Sequence, residues 1–342
     1  MEYEEKKPPF FIIGCPRSGT TVFQLLLDSH PLIAVPPESH FFLSYRRLLD
    51  NPAFDLTSSR HFDLFLRMVE KDWRIRNWKL DSPLAEIYSN VPRSPAHFID
   101  MLFSAYARQE GKVHWGDKTP QHAQCLETIL AVFPQARIIH LVRDGRDVAE
   151  SLARVHIGPQ SITGRARRWR HYINRVEQVR SHISPSRFKA VRFEDLVMRT
   201  EETMAAVFRF LEEEPADRGR NIASRDSAAG RQYRTSSPLH SSAARPLSGD
   251  KIGVYKKNMT EREKEIFESI AGRELRANGY TTAARDERCS ITVREKISFA
   301  AEDTLWRYLR KIFSPDNYGL AAKQVYDRLQ HSVRMLQISR VL

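Results

Sequence analysis

Pro9-Phe10-Phe11-Ile12-Ile13-Gly14-Cys15-Pro16-Arg17-Ser18-Gly19-Thr20-Thr21 reads as a strand, a tight loop and the first turn of a helix. The continuous apolar run is what a parallel strand covered on both faces shows. The Gly/Pro/Ser turn ends it, and Val22, Leu25 and Leu26 then begin a helical pattern. Backbone N–H groups of such a loop and of the helix N-terminus converge and carry partial positive charge. Arg17 and the hydroxyls of Ser18, Thr20 and Thr21 add donors, so the loop suits a phosphate-type group with a cation at its reacting end.

Outward from this stretch, strand and helix patterns alternate. A helix over residues 19–29 stops at His30-Pro31, and the proline pair in Ala34-Val35-Pro36-Pro37-Glu38-Ser39-His40-Phe41-Phe42 imposes an extended loop before an aromatic helical segment. Residues 50–110 read as helical, with Phe62, Phe65, Trp73 and Trp78 as packing or pocket aromatics. Val113 to Pro120 is a strand ending in a polar turn, followed by a helix over 121–133. Ala136 to Val142 is a further strand, running through Arg143-Asp144-Gly145-Arg146-Asp147 into a helix that reaches Arg154. A basic helix covers 164–182, a strand Phe188–Phe193 and a helix 201–211. Thr260 to Ala277 is helical and closes on Asn278-Gly279. The alternation predicts an α/β fold, P-loop-like and three-layered, with a central parallel sheet of four or five strands flanked by helices and a helical C-terminal extension. Residues 1–284 form the main domain and 285–342 the extension. Residues 218–250, rich in Ser, Arg, Ala and Gly, read as a long loop, either a lid or a plain insertion. In the extension Val325, Leu329, Val333 and Leu336 make one apolar stripe. Its roles, in order of preference, are docking on the body, a dimer contact, and a membrane-surface helix.

The formal net charge of +12 draws anionic ligands and surfaces. Basic residues are scattered apart from a cluster at Arg165, Arg167, Arg168 and Arg170, and no zinc-finger spacing, RNA-binding signature or long basic tail occurs, so nucleic acid is not the expected partner. Cys15, Cys125 and Cys289 match no metal or redox spacing, which predicts a reducing compartment. Met1 to Lys7 has no apolar signal core, and no run of about 18 apolar residues exists to span a membrane. A cytoplasmic protein, monomeric or homodimeric and without a metal, is the expectation.

Gly14 and Gly19 have the spacing of the nucleotide loop G-x-x-x-x-G-K-[ST], but Thr20 stands where its lysine belongs and Arg17 sits inside the loop. A kinase or NTPase needs that lysine, with Mg²⁺, for a triphosphate. A phosphosulfate carries less charge and can be held by one cation and hydroxyls. Pro16-Arg17-Ser18-Gly19-Thr20-Thr21 resembles the 5′-phosphosulfate loop of sulfotransferases that use 3′-phosphoadenosine-5′-phosphosulfate (PAPS), in particular the protein-tyrosine sulfotransferases, which also carry Arg at the position of Arg17.

The resemblance implies the remaining parts of a sulfuryl-transfer site. Arg143, at a strand's carboxyl end, and Ser151, eight residues on, match the family's 3′-phosphate clamp. Glu38 stands where protein-tyrosine and heparan sulfotransferases place a catalytic Glu; His40 and His122 compete with it, because cytosolic sulfotransferases use a His. Lys118, in Asp117-Lys118-Thr119-Pro120, matches a lysine that stabilises the departing phosphate–sulfate bridge. Ile252 to Thr260 partly matches a late cofactor motif: Lys251 substitutes for a missing basic residue, Tyr255 replaces a Trp and Lys256 matches a Lys. Phe193 stands where related enzymes often have a Tyr. The implied partner is a hydroxyl-bearing acceptor (carbohydrate, glycolipid or peptide) or an amine. A P-loop nucleotide kinase or NTPase and a non-catalytic nucleotide-binding module remain as alternatives.

Overall fold

A computed structural model describes residues 7–88, 92–155, 158–215, 248–283 and 290–312. Five strands, β1 (Phe10–Gly14), β2 (Ile33–Ala34), β3 (His114–Lys118), β4 (Arg137–Val142) and β5 (Phe188–Arg192), form one sheet in the order β2-β3-β1-β4-β5. Every pairing is parallel; Phe10 of β1 lies opposite Gly116 on one side and Arg137 on the other. The chain leaves β1 towards β2 and β3 and returns on the other side as β4, so strand order reverses at β1. Ligands of open α/β sheets bind beyond the carboxyl ends of the strands at such a reversal.

The apolar run of β1 is continuous because alternate residues feed two cores. Phe11 and Ile13 join a large aromatic cluster with Phe41, Phe65, Phe98, Trp115 and Trp169. Phe10 and Ile12 join a smaller one with Phe23, Leu27, Ile139, Val207 and Phe208. All four β1 side chains are fully buried, each contributing about 2–3 kcal/mol of hydrophobic stabilisation. The loop after β1 is thereby anchored in a rigid strand.

The helices follow the expected order. On the side of β2 and β3 they are α1 (Thr20–Asp28), α2 (Phe41–Leu49), α3 (Ser59–Lys71), α4 (Trp73–Arg76), α5 (Leu84–Ile87) and α6 (Pro95–Gln109). The helix expected over 121–133 is two pieces, a 3₁₀ turn at Pro120–Gln124 and α7 (Leu126–Val132), because Pro120 removes a donor and tightens the start. Then come α8 (Gly145–Val155), α9 (Ile162–Arg180), α10 (Phe193–Met198), α11 (Thr200–Phe210), α12 (Tyr255–Asn258), α13 (Glu261–Ala277) and α14 (Val293–Ile312). The capping box of Thr260 and Glu263 starts α13, and Gly279, with φ 78°, follows its end. Strand β2 and helix α10 are additions to the sequence reading, both too short to show periodicity. Most of the 218–250 loop and the Val325–Leu336 stripe lie outside the described residues. Among the described residues, no helix is long and apolar enough to cross a membrane.

Candidate active site

Two glycines shape the loop between β1 and α1. A Cβ on Gly14 would collide with the Leu141 carbonyl oxygen of the neighbouring β4, so only glycine lets the strands close up there. Gly19 has φ 92°, and the Phe193 ring occupies the space a side chain would need. Between them Arg17 adopts φ 79°, a left-handed conformation that costs a non-glycine residue about 1–2 kcal/mol. Ser18 N–H donates to the Cys15 carbonyl at 3.2 Å. Helix α1 starts from Gly19 with no side-chain cap and no acid in its first turn, which leaves its positive end available to an external anion.

Two elements bring a cation and a hydroxyl to this loop. Arg143, at the end of β4, donates through Nη1 to the Arg17 carbonyl at 3.2 Å and through Nη2 to the Lys251 carbonyl at 2.5 Å. Its guanidinium lies 4.6 Å from the centre of the Phe193 ring. Ser151, on α8, accepts from Arg17 Nε at 3.2 Å. The 3′-phosphate pair of the sequence reading and the 5′ loop therefore meet. Burial, and then the neighbouring charge of Arg143, pull the pKa of Arg17 down; burial does the same to Arg143, against the carboxylate of Asp147 and others. Ser18 Oγ and Arg143 Nε are buried without a protein hydrogen-bond partner. Two neighbouring guanidinium groups, with a buried hydroxyl and a buried guanidinium N–H that lack protein partners, suit a polyanionic phosphate ligand.

Beside the loop stands an ion pair. Lys118, the last residue of β3, lies 2.5 Å from Glu38 Oε1 through Nζ and 3.4 Å from Thr21 Oγ1. Burial alone would raise the Glu38 carboxyl, but the Lys118 charge and hydrogen bonds from His40 and Lys118 outweigh it and hold it well below the usual carboxylate range. Nε2 of His40 lies 3.1 Å from Glu38 Oε2. His122 is buried, packs edge-on to Phe42 at 5.5 Å, and has its pKa pushed by burial to about 3. Of the two histidines, only His40 contacts Glu38 directly.

The late segment contributes its backbone. Asp147 Oδ2 accepts from Gly253 N–H at 2.8 Å and Oδ1 from Tyr255 N–H at 2.9 Å. The Tyr255 ring lies 4.1 Å from the Arg146 guanidinium, which is itself paired with Asp144 and Glu268. Lys251 meets Arg143 through its carbonyl, and its side chain, like that of Lys256, is exposed.

Sequence reasoning passed over the carboxylates that hold this site. Asp117 accepts from Ser39 Oγ at 2.5 Å and Thr119 Oγ1 at 3.0 Å, and Thr119 Oγ1 accepts from His40 N–H at 3.3 Å. These bonds tie the loop carrying Glu38 to the strand carrying Lys118. Burial pushes Asp117 up to about 6 against the hydrogen bonds from Ser39 and Thr119. The signal available was an acid inside an otherwise buried strand. Burial also pushes the Cys15 thiol up to about 12, so it is no nucleophile. Among the described residues, no group of three or more His, Cys, Asp or Glu is arranged to hold a metal ion.

The sequence and the fold have relatives. The protein-tyrosine sulfotransferase of Drosophila melanogaster is 26% identical over 219 residues, 61% of this chain and 39% of that protein. The omega-hydroxy-beta-dihydromenaquinone-9 sulfotransferase Stf3 of Mycobacterium bovis is 25% identical over 256 residues, 60% of this chain and 62% of that protein. The chain thus spans less than two thirds of the length of these curated relatives. The solved sulfotransferase domain of the curacin biosynthetic pathway superposes with a TM-score of 0.55 at 19% identity, covering 81% of this chain and 99% of that domain. The domain from the Synechococcus PCC 7002 olefin synthase gives 0.53 at 21%, covering 79% and 98%. The sequence model described as "Sulfotransferase family" matches residues 8–217, more than half of the chain and every element from β1 to α11. The chain therefore belongs to the sulfotransferase family.

Proposed function

We propose that the protein is a PAPS-dependent enzyme that moves the sulfuryl group to an acceptor hydroxyl, most readily that of a carbohydrate, glycolipid or peptide, or to an amine. The observation that carries this reading is the meeting of Arg17, Ser18, Arg143 and Ser151 at one loop, with the Glu38–Lys118 pair alongside. The family supports it, as does the absence of a loop lysine at Thr20.

PAPS supplies an activated sulfuryl group and a stable bisphosphate leaving group. The chain's residues do the rest. The loop from Pro16 to Thr21 and the start of α1 hold the 5′ end, and Arg143 with Ser151 holds the 3′-phosphate. Arg17 balances negative charge that builds at the transferring group. Glu38, a carboxylate at neutral pH, takes the acceptor's proton. While Lys118 is paired with it, Glu38 is a weak base; a donor that drew the Lys118 charge away would leave Glu38 more basic. The backbone of Lys251, Gly253 and Tyr255 closes the far side of the clamp.

Calorimetric titration with adenosine 3′,5′-bisphosphate, with AMP as control, tests the reading. Binding that requires the 3′-phosphate, followed by transfer of labelled sulfuryl from PAPS in an acceptor screen, is the expected result. Equal binding of AMP, or Mg²⁺-dependent ATP turnover, would overturn it in favour of nucleotide chemistry.

A further inference from the structure

Helix α14 has two unlike sides. Its inner side is fastened to the body. Glu295 pairs with Arg262 at 2.8 Å. Asp303 accepts from the backbone N–H groups of Gln160 and Ser161 at 2.8 and 2.9 Å and from Ser161 Oγ at 2.7 Å, at the start of α9. Trp306 is buried, and Phe299 packs against the main core. The charges of Glu302 and Asp303 act on the buried Arg165.

The outer side is different. Val293, Ile297, Leu305 and Tyr308 are 71%, 66%, 44% and 62% exposed. With the exposed Ala301 they recur at i, i+4, i+8, i+12 and i+15, which is one stripe of a helix. Scattered exposed apolar residues are ordinary, but an aligned row of this length is not. Arg294, Lys296 and Arg307 are exposed, whereas Glu295, Glu302 and Asp303 are partly buried, Glu295 and Asp303 in contacts with the body. An apolar stripe with exposed cations along the same helix is the kind of surface that lies in the interface of a bilayer bearing anionic headgroups.

We infer that the outer face of α14 docks the protein onto an anionic lipid surface. The anchors on the inner side fix the orientation of the helix, so the stripe is presented without unfolding. The cations draw the protein to the headgroups, and Ile297, Leu305 and Tyr308 enter the boundary with the acyl chains. A second copy of the chain, or the protein's own C-terminal segment, is the competing occupant. Either would have to cover three exposed cations.

Flotation of the full chain with vesicles tests this. One set is phosphatidylcholine alone and the other phosphatidylcholine mixed with phosphatidylglycerol. The wild type is expected to float with the mixed vesicles, at least about tenfold more than with the neutral ones, and to release at about 1 M salt, where the screening length falls to about 3 Å. Ile297→Glu with Leu305→Glu is expected to abolish flotation. Replacing Arg294, Lys296 and Arg307 together by Gln should lower partitioning by about a hundredfold, from the ordinary contribution of each cation near an anionic surface. Sedimentation without vesicles runs in parallel. The inference is overturned if mixed and neutral vesicles bind alike, if the Ile297/Leu305 variant floats as the wild type does, or if that variant instead turns a wild-type dimer into a monomer.

Discussion

Lys118 is fully buried while Glu38, 2.5 Å away, keeps about a quarter of its side chain open to solvent. The pair is therefore asymmetric. Without Lys118, Glu38 can rehydrate; without Glu38, Lys118 is a charge inside the protein that has lost its carboxylate partner. Glu38→Ala should lower unfolding free energy by about 3 kcal/mol, the scale of a broken buried pair, and Lys118→Met by clearly less. Urea denaturation of the two variants makes the comparison. Equal losses would contradict the asymmetry.

The chemical role separates from the structural one in Glu38→Gln, which keeps shape and hydrogen bonding to Lys118. Removal of a general base typically costs about 10²–10⁴-fold in rate. The expected outcome is a fall in kcat of that order with bisphosphate affinity within about threefold of wild type. Calorimetry and a labelled-PAPS assay measure the two quantities. A variant that loses affinity as much as rate would move Glu38 from the base to the binding site.

Arg143→Ala removes a buried guanidinium from the clamp. Its loss should weaken adenosine 3′,5′-bisphosphate binding by about 2 kcal/mol, roughly thirtyfold, with a smaller effect on AMP. Wild-type protein should also melt at higher temperature when the bisphosphate is added, because a ligand bound by the folded state alone stabilises it. A variant that binds the two nucleotides as the wild type does would exclude Arg143 from the 3′-phosphate site.

Asp117 holds the Glu38 loop through Ser39 and Thr119. Its folded pKa, raised by burial to about 6, lies above the ordinary unfolded value near 3.9. The unfolded state releases this proton first, so Asp117 favours the fold at low pH and that contribution is lost as pH rises from about 4 to about 6. Asp117→Asn should flatten the stability profile across that window, by about 1 kcal/mol per pH unit. It should also lower kcat without changing bisphosphate binding, since the base loses its mooring. Urea midpoints at several pH values, with the transfer assay at pH 7, test both parts.

His140, on β4, carries the opposite sign. Burial, and then the Arg180 charge, push its imidazole to about 3, below the unfolded value near 6.5. Its neutral form is compatible with the fold, so stability falls as pH drops from about 6.5 towards 3, by up to about 1.4 kcal/mol per unit. His140→Leu should remove that part of the acid sensitivity, which is read from the same urea midpoints in mildly acidic buffer.

Much of this architecture is legible in the chain. The run Phe10–Ile13 needs two apolar faces to bury it, and that alone requires helices on both sides of the sheet. Arg17 stands out as a cation inside the loop after β1, whereas Glu38, Lys118 and Arg143 are singled out by their match to sulfotransferase motifs. Strand β2 is hidden because two residues cannot show a period of two. Asp117 is hidden for another reason. Its partner Thr119 is only two residues on, but Ser39 is 78 residues away, and no spacing along the sequence brings that one to it. The exposed side chain of Lys251 is a related case: a residue type suggested a cationic contact, and its carbonyl is what meets Arg143.

The bonds from Arg143 to the Lys251 carbonyl and from Gly253 and Tyr255 to Asp147 have a consequence for where this protein can be cut. The family match ends at residue 217, yet the clamp borrows backbone from beyond residue 250. A fragment trimmed to the matched region would leave a buried guanidinium nitrogen and both oxygens of Asp147 without these partners, at about 1–3 kcal/mol for each group stranded. The heritable module and the smallest working unit therefore have different borders, and any expression boundary or domain graft has to respect the second.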